Sequence, residues 1–203
     1  MKYQLITYFI FLKIFQKIKQ SQSKSKNPLP LSKIEKMNEI IREYPNGGKI
    51  QVHPLVDKSA ADFDKIIACC EHFARQGAKT LITPRFSETL TNPDYVLIYA
   101  SLKNTPYWGK CPDFSVDGVW YEHEGYDETK DLTDNKKRVA TFCKMLTRGV
   151  KQSDKIILED CCISRFYAKR RIYNRIHFEK QNINEVYIKT SDGLELLHKK
   201  QED

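Results

Sequence analysis

Three carboxylates are predicted to meet on one β-hairpin near the middle of the chain. Residues 111–124 read CPDFSVDGVWYEHE, with Asp-Gly at 117–118 between two apolar runs. Asp-Gly in that setting predicts a two-residue type I′ turn, because both of its central residues need a positive φ. Asp113 then lies opposite Glu122, and Glu124 shares their face because side chains alternate along a strand.

Such an arrangement of like charges favours a bound cation. Carboxylates placed directly opposite one another destabilise a sheet, and hard divalent cations take oxygen ligands. Mg²⁺ or Mn²⁺ held by carboxylates can activate water, hold a phosphate and relieve charge on a leaving oxygen. The hairpin therefore predicts a divalent-metal site with Asp113 and Glu122 as its main ligands, and such a site suits phosphodiester hydrolysis. Lys110 and Lys155 are candidates to contact the scissile phosphate, and His123 is interpreted as structural.

Charge along the chain is segregated. The net charge is +8, but residues 1–36 hold eight Lys and one Glu, leaving 26 basic and 25 acidic residues in 37–203. The bulk charge therefore says little about nucleic acid. Residues 113–134 hold eight acids and one base, whereas 165–180 hold six bases and one acid. An acidic patch and a basic helix in one domain suit a metal-dependent enzyme that handles a polyanion, although two solvated faces would read the same way.

The basic segment predicts a helix over residues 162–178. Its cationic side chains are expected to contact phosphates, and its tyrosines can stack on unpaired bases. The alternative is a surface helix with its aromatic residues packed inward. The predicted nucleic-acid-binding residues are Lys110, Lys155, Arg165, Lys169, Arg170, Arg171, Arg175 and Tyr173.

Helical and alternating patterns follow one another along the rest of the chain. Helices are predicted at 62–76 and 135–150, and strands at 79–83, 95–100, 155–158, 186–189 and 194–198. This order indicates an α/β (α+β) fold with a central mixed β-sheet flanked by helices. Residues 37–203 are interpreted as one domain, and residues 1–36 as an extension outside the fold. A weak membrane-surface anchor is the alternative for that segment, whose uninterrupted apolar run is about half as long as a membrane span needs.

The six cysteines match no zinc spacing. The chain holds two vicinal pairs but no C-x-x-C motif. Cysteines in such apolar contexts are usually small buried hydrophobes. We therefore expect reduced thiols and a cytoplasmic location.

The segments QGAKTLITP, KCPDFSVDGVWYE and SDKIILED, with the order helix, strand, hairpin, helix, strand, resemble the PD-(D/E)XK nuclease superfamily. The sequence of these segments is most similar to the C-terminal tRNase domain of contact-dependent growth inhibition toxins and related mobile-element proteins, and the resemblance covers roughly residues 50–198. The resemblance implies a restriction-endonuclease-like core, an endonuclease activity on RNA (tRNA) or DNA, and a possible immunity protein as partner.

The resemblance also implies roles for individual residues. Asp113 and Glu122 would be the metal-binding carboxylates, and Glu71 the extra acid that many members carry on the first helix. Glu124 stands where the family usually has a lysine, and it would act in catalysis by engaging a second metal ion. This departure leaves open a degenerate member that binds nucleic acid or a partner without cutting. A metal-independent barnase-like or RelE-like ribonuclease, using residues such as His177, is a third hypothesis.

Overall fold

An eight-stranded mixed sheet, with its strands in chain order, forms the centre of the protein. The computed structural model describes residues 38–127, 129 and 132–201; the predicted extension at 1–36 lies outside them. The strands are β1 Glu39–Glu43, β2 Lys49–Val52, β3 Lys79–Ile82, β4 Phe114–Val116, β5 Val119–Glu124, β6 Lys155–Glu159, β7 Glu185–Thr190 and β8 Gly193–Lys199. The helices of this part are α1 Phe63–Ala74, α2 Pro93–Ile98, α3 Asn135–Gly149 and α4 Arg165–His177, and a 3₁₀ turn spans Ala100–Leu102.

Five strands end at the same edge of the sheet. β2 pairs parallel to β3, and β5, β6 and β7 pair parallel to one another. β4 is antiparallel to both β3 and β5, so β3 and β5 run in the same direction. Ligands of α/β sheets usually bind outside the carboxyl ends of parallel strands, and this edge is therefore where a site is expected.

The predicted hairpin is confirmed in its register and its turn. Phe114 pairs with Tyr121, and Val116 with Val119. Asp117 and Gly118 have φ values of 47° and 83°, as a type I′ turn requires. The Asp117 carboxylate accepts a hydrogen bond from the Lys79 amide at 2.9 Å, which fixes the turn against β3.

The two faces of the sheet are covered by different helices. Phe114, Tyr121 and Ile157 pack in a core cluster with residues of α1. Ile156 and Leu158 point the other way and pack with residues of α3 and α4. Hydrophobic alternation along β6 thus buries both of its faces, as expected for a strand in a sheet covered on both sides.

The strand predicted at 95–100 is wrong, because these residues form α2 and the 3₁₀ turn. Asn92 caps α2 by accepting hydrogen bonds from the amides of Asp94 and Tyr95, and Pro93 opens the helix. Both are ordinary signals of a helix start. Tyr95 and Tyr99 lie one turn apart and stack with ring centroids separated by 5.0 Å, so the apolar run packs as a helix.

The other predicted elements are present, with ends shifted by up to three residues. Helices were expected at 62–76, 135–150 and 162–178, and they occupy Phe63–Ala74, Asn135–Gly149 and Arg165–His177. The sequence prediction did not include β1 and β2. Within the described residues, no helix has the length and apolar character needed to cross a membrane.

Candidate metal and phosphate site

Asp113 is a buried carboxylate with a partner on each oxygen. Its Oδ1 accepts hydrogen bonds from Arg85 Nη2 at 2.6 Å and Nε at 3.1 Å. Its Oδ2 accepts one from the backbone amide of His123 at 2.9 Å. The same Arg85 Nη2 also donates to Asp62 at 2.6 Å. Burial raises the pKa of Asp113, and the nearby guanidinium opposes that rise.

Glu122 is buried with one oxygen unsatisfied. Only 7% of the residue is exposed, and its Oε2 has no hydrogen-bond partner among the described residues. Burial, followed by the charges of Asp113 and Glu124, holds the pKa of Glu122 well above its usual range. An unpaired buried carboxylate is costly, so this side chain is the most frustrated polar group of the hairpin.

Glu124 forms an ion pair with an arginine of helix α3. Arg148, in the last turn of α3, donates from Nε to Glu124 Oε2 at 2.7 Å and from Nη2 to the Gly125 carbonyl at 2.6 Å. Burial raises the pKa of Glu124, with the guanidinium of Arg148 opposing that effect. Glu124 therefore has an arginine charge beside it. We refer to Asp113, Glu122 and Glu124 as the acidic trio.

The acidic trio lies towards the edge where β3 and β5 end. Glu122 and Glu124 are level with Ile156 and Leu158 of β6, so they face the α3 side. The Asp113 carboxylate stands at the start of β4 and also borders a small cavity of about 120 Å³ between α1 and the loop before it. Asp62 and Arg85 line this cavity as well, together with Asp57 and Thr83. Its polar wall thus includes Arg85 and the two carboxylates that Arg85 bridges, Asp62 and Asp113.

The opposite face of the sheet carries a second polar cluster, formed by His123, Glu159 and Lys189. His123 Nε2 and Lys189 Nζ each lie 2.9 Å from Glu159 Oε1. Because an ionised carboxylate only accepts hydrogen bonds, Nε2 of His123 carries the proton. Burial alone would raise the pKa of Glu159, but the hydrogen bonds from His123 and Lys189 outweigh it and lower the pKa to about 2. His123 thus has a structural partner. We refer to these three residues as the His–Glu–Lys network.

Two predicted site residues lie away from the acidic trio. Lys155 and Ile157 point to the α1 face, opposite Glu122, and Lys155 Nζ donates to Glu185 at 2.8 Å. Glu71 lies on α1, where it pairs with Arg42 and Arg75. The structure therefore does not bring Lys155 or Glu71 to the carboxylates of the hairpin, since each is paired with other residues.

The remaining predicted cations divide into paired and unpaired groups. Arg165 binds Asp160 and Glu195. Arg175 binds Glu179 of the same helical segment and donates to Thr147 at 2.7 Å. The other predicted residues of α4 are exposed and make no side-chain ion pair within the described ranges; they are Lys169, Arg170, Arg171 and Tyr173. Lys110 lies half-buried on the loop before β4, three residues from Asp113.

As it stands, the described part of the chain has no group of three or more His, Cys, Asp or Glu residues that could hold a metal ion. Mg²⁺ needs fewer protein ligands than three, because one or two carboxylates together with waters and substrate phosphates complete its coordination shell. The unsatisfied Glu122 oxygen beside Asp113 is a donor set of that kind, so these residues fit a divalent cation.

The sequence did not reveal Arg85, Arg148 or Asp62 as members of the site. Each comes from a different element, and each reaches the hairpin only through tertiary packing. The available signals were weak: Arg85 follows Pro84 at the end of a strand, and Arg148 is a basic residue in the last turn of a helix, a common position for one.

The chain matches no protein-family model, curated protein or solved structure.

Proposed function

We propose that the protein is a divalent-metal-dependent endonuclease that hydrolyses phosphodiester bonds of nucleic acid, with RNA, and tRNA in particular, as the expected substrate. The observation that carries the proposal is the buried Glu122 carboxylate, whose Oε2 has no partner among the described residues while two further carboxylates lie nearby. A divalent cation relieves such repulsion and satisfies such an oxygen.

The order of elements around the site supports a restriction-endonuclease-like core for this proposal. Apart from α2 and the 3₁₀ turn, which lie between β3 and β4, the elements α1, β3, β4, β5, α3 and β6 follow the order helix, strand, hairpin, helix, strand, as in the nucleases that the sequence resembles. Helices α1 and α3 cover opposite faces of the sheet. The carboxylates at 113 and 122 stand on the two arms of the hairpin.

Asp113 and Glu122 would hold the cation, which supplies an activated water and charge relief at the phosphate when bound. The His123 amide fixes one oxygen of Asp113, and this hydrogen bond orients the carboxylate as an outer contact of a metal ligand does. The unpaired Oε2 of Glu122 is buried, so a cation bound to it would be shielded from bulk water.

Two arginines are placed to hold the phosphate. The side chains of Arg85 and Arg148 are 55% and 44% exposed, so both present guanidinium groups to solvent while bonded to Asp113 and Glu124. The planar fork of arginine matches a phosphate group. In the nucleases that the sequence resembles, a lysine supplies positive charge at the position of Glu124. We assign this role to Arg148, because it pairs with Glu124.

Binding without cleavage is the second candidate, and one contact favours it. Asp113 already has a cationic partner in Arg85, so this carboxylate can be neutralised without a metal ion. The protein would then bind nucleic acid or a partner protein while leaving phosphodiester bonds intact. In this alternative Glu122 would be protonated rather than metal-bound.

Cleavage of tRNA and of plasmid DNA by the purified full chain tests these alternatives. We expect cleavage with Mg²⁺ or Mn²⁺ and none with EDTA, and Glu122→Gln should lower the rate at least about 100-fold because several kcal/mol of charge stabilisation is lost. Glu185→Gln is the matched control, since it also removes a buried carboxylate but lies beside Lys155 and Tyr121. Its rate should stay near that of the wild type.

The other outcomes separate the hypotheses. RNA binding without cleavage under any metal condition would favour the binding protein. EDTA-resistant cleavage that tolerates Glu122→Gln would instead favour a metal-independent ribonuclease.

A further inference from the structure

The solvent side of α4 carries an aromatic stripe. Phe166, Arg170, Tyr173 and His177 follow one another at intervals of four, three and four residues, so they share one helix face, and all four are exposed. Phe166 and Tyr173 are 68% and 54% exposed. Ala168 and Ile172 on the other side of the helix are buried in the core. The aromatic rings are therefore left outside by a helix that is already anchored.

The free positive charges of α4 border the same stripe. Arg165 and Arg175 are occupied by acidic partners. Lys169, Arg170 and Arg171 are exposed and have no acidic partner in the part of the chain that the structure describes. A polyanion can therefore contact these three residues without displacing an acidic side chain of the described chain.

Rings and unpaired cations together fit a single-stranded nucleic acid. Bases stack on aromatic side chains when they are not paired in a duplex, and neighbouring cations follow the phosphates. The Tyr173 and His177 rings lie with centroids 4.1 Å apart and planes inclined by 33°, so the two rings form one aromatic patch. Its exposed apolar residues are aromatic rather than aliphatic, so base stacking suits them better than burial in lipid.

We propose that this stripe of α4 is a stacking platform for unpaired bases, and that the substrate is a single-stranded or looped segment of nucleic acid. The proposal rests on the proposed nuclease function, which it deepens by naming the substrate class.

The position of α4 relative to the acidic trio agrees with this proposal. α4 packs with α3 on the face of the sheet to which Glu122 points. It also contacts β8, three strands from β5, which is roughly 14 Å at the usual strand spacing. α3 contacts both β5 and α4, and its residue Arg148 pairs with Glu124 of the hairpin. A single strand of nucleic acid whose bases stack on α4 can therefore pass over α3 and reach the hairpin.

Fluorescence anisotropy with labelled oligouridylate tests the platform, using the full chain in EDTA so that binding is measured without cleavage. The same RNA annealed to oligoadenylate is the duplex probe. We expect tighter binding of the single strand, and a loss of about fivefold or more for Phe166→Ala and for Tyr173→Ala, given the usual strength of base–aromatic stacking. Replacing Lys169, Arg170 and Arg171 by Gln should reduce the slope of log affinity against log salt by about 2.

Matched charge removal elsewhere is the control. Lys103, Lys136 and Lys151 are also exposed, and the triple Gln variant at these positions should bind oligouridylate nearly as the wild type does. Glu122→Gln should also bind normally, so loss of cleavage and loss of stacking are separate results. Circular dichroism verifies that each variant is folded.

Several results would overturn the platform. These are equal affinity for single strand and duplex, wild-type affinity in the two aromatic variants, or no binding of either probe. Preferential binding of phosphatidylserine vesicles that is lost in the aromatic variants would assign the stripe to a membrane surface instead. Self-association lost in the same variants would assign it to a second copy of the chain.

Discussion

Two clusters of buried charge lie on opposite faces of the same strands, and they are balanced in opposite ways. In the His–Glu–Lys network, Glu159 has two donors and a pKa lowered to about 2. In the acidic trio, Glu122 has an unsatisfied oxygen and a pKa well above its usual range. Both are reached from β5, whose alternation sends His123 to one face and Glu122 to the other.

The difference separates a structural role from a functional one. A carboxylate that has its donors within the fold strengthens the fold, because ionisation and hydrogen bonding favour the same state. A carboxylate that is buried beside like charges destabilises the fold unless a cation or a hydrogen-bond donor binds it. We therefore interpret the first cluster as a support of the sheet and the second as the place where an external cation binds.

The largest change in stability is expected for substitution of Glu159 in the His–Glu–Lys network. Glu159→Gln removes the charge that holds Lys189 and His123, and breaking such a buried pair costs about 3 kcal/mol. For a chain of this size, that corresponds to a fall in melting temperature of roughly 6–12 °C. Thermal unfolding by circular dichroism at neutral pH measures it.

Acid provides the check on that result. The pKa of Glu159 is lowered from 4.5 to about 2 in the folded protein, so its contribution is present above pH 4.5 and is lost as the pH falls through about 2. The gap in stability between wild type and Glu159→Gln should close over that range. A gap that stays constant with pH would mean that packing, rather than charge, accounts for the effect.

A smaller change in stability, of opposite sign, is expected for substitution of Glu122 in the acidic trio. Because the pKa of Glu122 is raised in the folded state, ionising it costs stability as the pH rises above its unfolded value. Glu122→Gln should raise the melting temperature by a few degrees at neutral pH in EDTA. Excess Mn²⁺ should stabilise the wild type but not this variant, since a ligand stabilises only the state that binds it.

Glu185→Gln is again the control for loss of a buried carboxylate. Its partners hold the pKa of Glu185 below the usual value, although burial acts against them. This variant should lose stability in EDTA and keep the Mn²⁺ response. Destabilisation by Glu122→Gln in EDTA would contradict the contrast between the two clusters.

The smallest change in stability is expected at Arg148. This arginine is 44% exposed and pairs with Glu124, and exposed ion pairs contribute at most about 1 kcal/mol. Arg148→Gln should therefore melt within about 4 °C of the wild type. Its cleavage rate should fall by about tenfold or more, because the phosphate loses a guanidinium donor. Arg75→Gln, which removes an exposed arginine from α1, should leave the rate unchanged.

The hairpin was predictable from the sequence because its signals are local. The Asp-Gly turn fixes the register, and the register alone places Asp113 across from Glu122. The run at 95–100 was misassigned because a short apolar segment suits a strand or a helix, and the cap at Asn92 decided the outcome. Arg85 and Arg148 were beyond prediction, since their contacts with the hairpin carboxylates join residues 24 or more positions apart.

A manganese soak of crystals of the full chain tests the central claim most directly, because Mn²⁺ scatters anomalously and its position can be seen without activity. The account predicts an anomalous peak within coordination distance of Glu122 Oε2 and the Asp113 carboxylate. Glu122→Gln crystals soaked in the same way should lack it. An empty site in the wild type, with Glu122 hydrogen-bonded to protein groups or turned to solvent, would contradict the account.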